Sequence, residues 1–159
     1  MHFVSCGDLW EDLFLCLYCD SDVNDNPKST GGYLFTLEGL RGSMLSLVGN
    51  SSVATLTGCS SGECESLFWG KAAREAMRVA SVVESMRTTP LKIVSKVDSE
   101  ALRLAVRRGS SAKLGHLRKT ARLNFKFFRD CGMIPIHIRG DKNFADAMTK
   151  ILSRVKLLM

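Results

Sequence analysis

The chain has 159 residues, 45% hydrophobic and 24% charged, and carries a formal net charge of +6 at pH 7. These are the proportions of a folded domain, so wholesale disorder is excluded and one compact unit with one core is expected. The apolar stretch Leu13 to Tyr18 is far short of the ~20 residues that cross a bilayer, and Asp8, Glu11 and Asp12 precede it where a secretory leader would be basic.

In chain order, Leu13 to Asp20 reads as a strand running into an acidic loop, Asp20-Ser-Asp-Val-Asn-Asp-Asn-Pro27. Gly31 to Leu37 is a second strand. Met44 to Val48 is a third, joined to it as a hairpin, and Val53 to Leu56 either extends that hairpin or leads into a helix. Ser60-Ser-Gly-Glu63 has the form of a capping box and opens a helix through Val83, with Ala72, Ala73, Ala76 and Ala80 on its apolar face. Thr88-Thr-Pro90 ends that helix.

Leu91 to Val97 is a fourth strand, followed by Asp98 as N-cap of a helix to Arg108, which Gly109 breaks. Leu114 to Cys131 reads as one amphipathic helix, with Leu117, Ala121, Phe125 and Phe128 inward and Arg118, Arg122, Lys126 and Arg129 outward. Gly132 stops it, Ile134 to Ile138 is a fifth strand, and Asn143 opens a last helix through Leu152. The order points to an α/β domain, a mixed sheet flanked by helices. Six cysteines without a leader are not a disulfide scaffold. The Cys16-x-x-Cys19 pair has no second pair at ligand spacing, so buried thiols are expected there rather than zinc.

Charge is segregated along the chain. Residues 1–27 hold six acids and no Lys or Arg, whereas residues 103–129 hold nine basic side chains and no acid. The basic block, including Arg107, Arg108, Lys113, Arg118, Lys119, Arg122 and Lys126, is the footprint expected of a phosphate-backbone binder; a merely solvated helix face is the plainer reading.

Four acids fall at element ends: Asp20, Glu65, Asp98 and Asp146. Carboxylates from separate rigid elements are what hard cations take as ligands, and phosphodiester hydrolysis uses two such cations ~3.5–4 Å apart. Each acid also has a structural reading. Asp20 suits an Asx turn, Asp98 an N-cap, and Asp146 a helix-dipole partner three residues after Asn143. Glu63 belongs to its capping box, which leaves Glu65 to face the sheet.

Asp20-Ser-Asp22 with Lys28-Ser-Thr-Gly-Gly-Tyr33 is similar to the Ser-Asp-Ala-Asp…Arg-Lys-Ser-Thr-Ser-Gly-Tyr signature of the ribonuclease H domain of copia-type retrotransposon Pol polyproteins. Ser60-Ser-Gly-Glu-Cys-Glu65 resembles that family's Ser-Ser-Thr-Glu-Ala-Glu, and Val97-Asp98-Ser99 stands where it has Cys-Asp-Asn. Asn143-Phe-Ala-Asp146-Ala-Met-Thr-Lys150 resembles its closing Asn-x-Ala-Asp-Ile-Leu-Thr-Lys. The resemblance implies a ribonuclease H-like fold: a five-stranded mixed sheet, its first three strands antiparallel, with helices on both faces. It implies Asp20, Glu65, Asp98 and Asp146 as catalytic and metal-binding residues, two Mg²⁺ or Mn²⁺ ions as cofactors, and cleavage of the RNA strand of an RNA–DNA hybrid, leaving 3′-hydroxyl and 5′-phosphate ends. The implied partners are hybrid or duplex nucleic acid, gripped through the basic segment, and a reverse transcriptase domain.

Three departures stand out. Ser51-Ser-Val-Ala54 replaces a Lys/Gln-rich loop, Lys119-Thr-Ala-Arg122 replaces a Lys-His-Ile-Asp run, and Ser99 replaces an Asn. With no polymerase ahead of the domain, the chain is expected to be part or remnant of a retroelement polyprotein. The alternative is an inactive nucleic-acid-binding or interaction module on the same fold. The expected organisation is a lead-in over 1–12, the ribonuclease H-like domain over 13–152 and a tail over 153–159, in an intracellular setting, either a cytoplasmic particle or the nucleus.

Overall fold

The computed structural model describes residues 3–22, 29–53 and 60–149. The acidic loop after Asp22, the segment after Val53, Cys59, and the end of the last helix with the tail lie outside them. Three long strands follow one another as an antiparallel meander: β2 (Phe14–Asp22), β3 (Thr30–Glu38) and β4 (Met44–Val53), after a two-residue edge strand β1 (Phe3–Val4). β5 (Ile93–Val97) returns parallel to β2, and β6 (Ile136–His137) parallel to β5, giving the order β1-β4-β3-β2-β5-β6. The five expected strands and their mixed pairing are present, and β1 adds a sixth at the edge.

The helices are α1 (Ser61–Glu84), α2 (Glu100–Arg108), α3 (Leu117–Thr120), α4 (Phe125–Asp130) and α5 (Asp146–Thr149). Both halves of the capping box form: the Ser60 hydroxyl accepts from the Glu63 N–H, and the Glu63 carboxylate accepts from the Ser60 N–H. The alanine stripe of α1 lets that helix lie close on the sheet. Beneath it, Leu15, Leu17, Phe35, Leu37 and the fully buried Trp69 form the main core. The Trp69 indole N–H finds the Ser95 hydroxyl at 2.8 Å, so the largest core side chain has its one polar atom paired. On the other face a smaller cluster of Cys16, Tyr18 and Ala145 lies beside α5. Strand alternation therefore sends Cys16 and Cys19 to opposite faces, both buried, with burial pushing the Cys16 thiol up to about 12.

Four expectations need correction. The N-cap of α2 is Ser99, whose hydroxyl accepts from the Leu102 N–H; Asp98 stands one residue too early for that bond. The single helix over Leu114–Cys131 is two short ones. A continuous helix would carry Leu123 off the apolar face, but Leu123 is buried against α1, where Gly70 leaves room for it. The chain therefore turns at Arg122 (φ 53°), and Asn124 caps a new helix through the Phe127 N–H. Asn143 precedes α5 rather than starting it. It is buried, donates to the Cys19 carbonyl at 2.9 Å, and α5 begins at Asp146. The fifth expected strand is also shorter than Ile134–Ile138, with only two of its residues paired to β5.

The lead-in is tied to the far end of α1. The Arg87 side chain is 1% exposed; it donates to the carbonyls of Leu13 (2.8 Å) and Glu11 (2.5 Å) and lies over the Trp10 ring. The Glu11 carboxylate in turn accepts from the Thr88 and Thr89 N–H groups.

Gly31 faces Ser21 across the β2–β3 ladder, and a Cβ there would sit 2.1 Å from the Phe68 ring of α1. Gly31→Ala is expected to lower stability by about 1–3 kcal/mol through overpacking, read as a reduced urea midpoint with an unchanged m-value.

Candidate active site

Because β2 and β5 are parallel, their carboxyl ends meet at one edge of the sheet. Open α/β sheets bind ligands at such ends. Asp20 sits near the end of β2, Asp98 follows the last residue of β5, and the first turns of α1 bring Glu65 to the same edge. The three side chains line one pocket of about 10 Å³, together with Cys19, Ser21, Val97, Ser99 and Leu102. That volume suits a single water-sized occupant.

The carboxylates act on one another. Burial first, then the Asp98 and Asp20 charges, hold the Glu65 carboxyl above its usual range, with the Ser99 hydroxyl as a partial offset. Burial and the same three acids push the Cys19 thiol up. Glu63 is occupied elsewhere: one oxygen completes the capping box and the other meets His116 at 3.2 Å. That leaves Glu65 as the α1 acid at the pocket.

Asp146 is not among the pocket's lining residues. It starts α5, and three residues later the Thr149 hydroxyl donates to Asp20 Oδ2. The fourth acid thus stands on a helix bonded to the first, while the other three share the pocket. Among the described residues, no three acid, imidazole or thiol side chains form a ready-made set of metal ligands. The donor chemistry nonetheless suits a hard cation: the pocket's acids are all carboxylates, and their mutual repulsion is what a cation would relieve.

The seven basic residues Arg107, Arg108, Lys113, Arg118, Lys119, Arg122 and Lys126 are all exposed, and none has a carboxylate within ion-pair distance among the described residues. They do not share one helix face. Arg107 and Arg108 end α2, Arg118 and Lys119 lie in α3, Lys126 lies in α4, and Lys113 and Arg122 lie between helices. Of the nearby aromatics, Phe125 and Phe128 are core and Phe127 is 47% exposed. Sequence reasoning missed Ser21, Asn143 and Thr149 as neighbours of Asp20. Asn143 and Thr149 stand in the closing motif, which was the available signal.

No protein-family model and no curated protein matches this sequence. Solved structures do resemble the chain. A compost-metagenome ribonuclease H1, LC11, in complex with an RNA/DNA hybrid aligns at a TM-score of 0.60 and 17% identity, over 84% of this chain and 92% of that one. The fold is ribonuclease H-like. The ribonuclease H1 of the halophilic archaeon Halobacterium salinarum aligns at 0.54 and 16% identity, over 84% of this chain and 92% of its own. A foamy viral protease–reverse transcriptase in complex with double-stranded DNA aligns at 0.54 and 13%, over 87% and 92%.

The shared pocket makes a pH prediction. A Glu65 pKa raised on folding means that the native state holds that proton more tightly than the unfolded chain. Its stabilisation is then full below the unfolded value and is lost as pH rises through the folded one. In chelator, Glu65→Gln is expected to flatten this decline, measured as denaturation midpoints of the two proteins from pH 4 to 7.

Proposed function

We propose that this chain is a metal-dependent endonuclease that cleaves the RNA strand of RNA–DNA hybrids, as part or remnant of a copia-type retrotransposon reverse-transcription polyprotein. The observation that carries the reading is the convergence of Asp20, Glu65 and Asp98, from three separate elements, on one pocket at the carboxyl ends of two parallel strands. The ribonuclease H-like fold supports it, as do the hybrid held by one structural neighbour and the protease–reverse transcriptase to which another belongs. The ordered motifs add the copia-type assignment.

In this reading Asp20, Glu65 and Asp98 hold Mg²⁺ or Mn²⁺, and Asp146 completes the set from α5. The pocket as it stands admits one water-sized occupant, and cations bound there would supply Lewis acidity at the scissile phosphate. The protein's own part is to hold the carboxylates in fixed positions and to orient the hybrid. The exposed basic residues of α2, α3 and α4 grip backbone phosphates, while contacts to 2′-hydroxyls select the RNA strand.

A second reading, a binding module without turnover, is favoured by the lack of a ready-made metal-ligand set among the described residues. The two separate cleanly in the test tube. The folded chain is expected to cut the RNA of a hybrid in Mg²⁺ or Mn²⁺, with Asp20→Asn losing at least about a hundredfold. No cleavage by a folded protein that still binds hybrid selects the binding module.

Under either reading, the double variant Arg118→Ala, Arg122→Ala is expected to weaken hybrid binding. It should also reduce the slope of log affinity against log salt by about two, one for each lost phosphate contact.

A further inference from the structure

The closing segment meets β2 through two side chains whose partners lie more than a hundred residues away. Asn143 is 4% exposed. Its Nδ2 donates to the Cys19 carbonyl at 2.9 Å, and its Oδ1 accepts from the Ala145 N–H at 3.3 Å. Asn143 therefore pins the backbone of the residue that precedes Asp20. Thr149 acts one residue further along β2: its Oγ1 donates to Asp20 Oδ2.

The hydroxyl has one proton and two acceptors in reach. The Asp146 carbonyl, 3.3 Å away, is the local acceptor that a threonine in a helix ordinarily uses. The carboxylate is closer and charged, and charge-assisted bonds are about twice as strong as neutral ones. The proton goes to Asp20, and the carbonyl contact is secondary.

We propose that Thr149 is a positioning residue: its hydroxyl fixes the plane of the Asp20 carboxylate for cation binding and, through the one turn of helix between them, fixes where Asp146 stands relative to Asp20. The proposal rests on the nuclease reading above and deepens it. Partners that orient a metal's ligands set its affinity without touching it, and their removal typically costs ten- to a hundredfold. Thr149 has that relation to Asp20, while Asn143 holds the strand end on which Asp20 is carried.

The test is calorimetric titration of the full chain with Mn²⁺ in the absence of nucleic acid. Wild type, Thr149→Val, Thr149→Ser and Asp20→Asn are compared, each with a melting curve. Thr149→Val keeps the shape and removes the hydroxyl; it is expected to bind Mn²⁺ about tenfold more weakly, with a melting temperature within about 4 °C of wild type. Thr149→Ser restores the donor and is expected to return affinity to within about threefold of wild type. Wild-type affinity in Thr149→Val overturns the positioning role and leaves the nuclease reading standing. Loss in both Thr149 variants, with a parallel fall in melting temperature, overturns it in favour of simple helix packing. Wild type that takes up no more Mn²⁺ than Asp20→Asn overturns the nuclease reading itself, and the positioning role with it.

Discussion

The parallel pairing of β2 with β5 is the constraint from which the rest of the molecule follows. Antiparallel neighbours would place the ends of these strands at opposite edges of the sheet and separate Asp20 from Asp98 by a strand's length. Parallel pairing requires a crossover, and α1 supplies it. Because the crossover begins at the edge where β2 ends, the first turns of α1 deliver Glu65 beside the two aspartates. The capping box fixes where α1 starts, and with it the residue that faces the sheet.

Burial first, and then the neighbouring Asp98 and Asp20 charges, raise the affinity of Glu65 for its proton, so holding three carboxylates at one half-buried pocket is unfavourable. The main core counters that repulsion by locking the elements that carry the acids. Trp69, on the same helix as Glu65, is fully buried and bonded to Ser95 of β5. On the opposite face the Lys96–Glu38 ion pair, with Tyr18 and Thr36 donating to the same carboxylate, fastens β5, β2 and β3 side by side. The repelling site therefore rests on a sheet cross-linked from both faces.

Much of this was legible in the residues. The five principal strands, the start of α1 and the adjacency of Asp20, Glu65 and Asp98 follow from alternation, a capping signature and motif order. What stayed hidden depended on tertiary partners. A period-3.6 pattern runs unbroken from Leu114 to Cys131, and nothing local says that Leu123 must turn out of register to fill the space above Gly70. Asp98 and Ser99 are equally good caps by type, and only the strand's end decides between them. The partners of Asn143 and Thr149 lie across the sheet, at a separation that no local pattern reports.

The lead-in offers a practical lesson for anyone trimming this chain to its minimal sheet. A boundary drawn just ahead of β2 looks natural, since the first strand of the meander begins there. Yet such a cut would delete the Glu11 carbonyl, which accepts from the almost wholly buried Arg87 side chain, together with the Glu11 carboxylate and the Trp10 ring beside it. Losing the bonding partners of a buried charged group costs more than losing a surface contact. The shortest well-behaved version of this protein therefore begins upstream of its apparent start, with the arginine at the end of α1 marking how far.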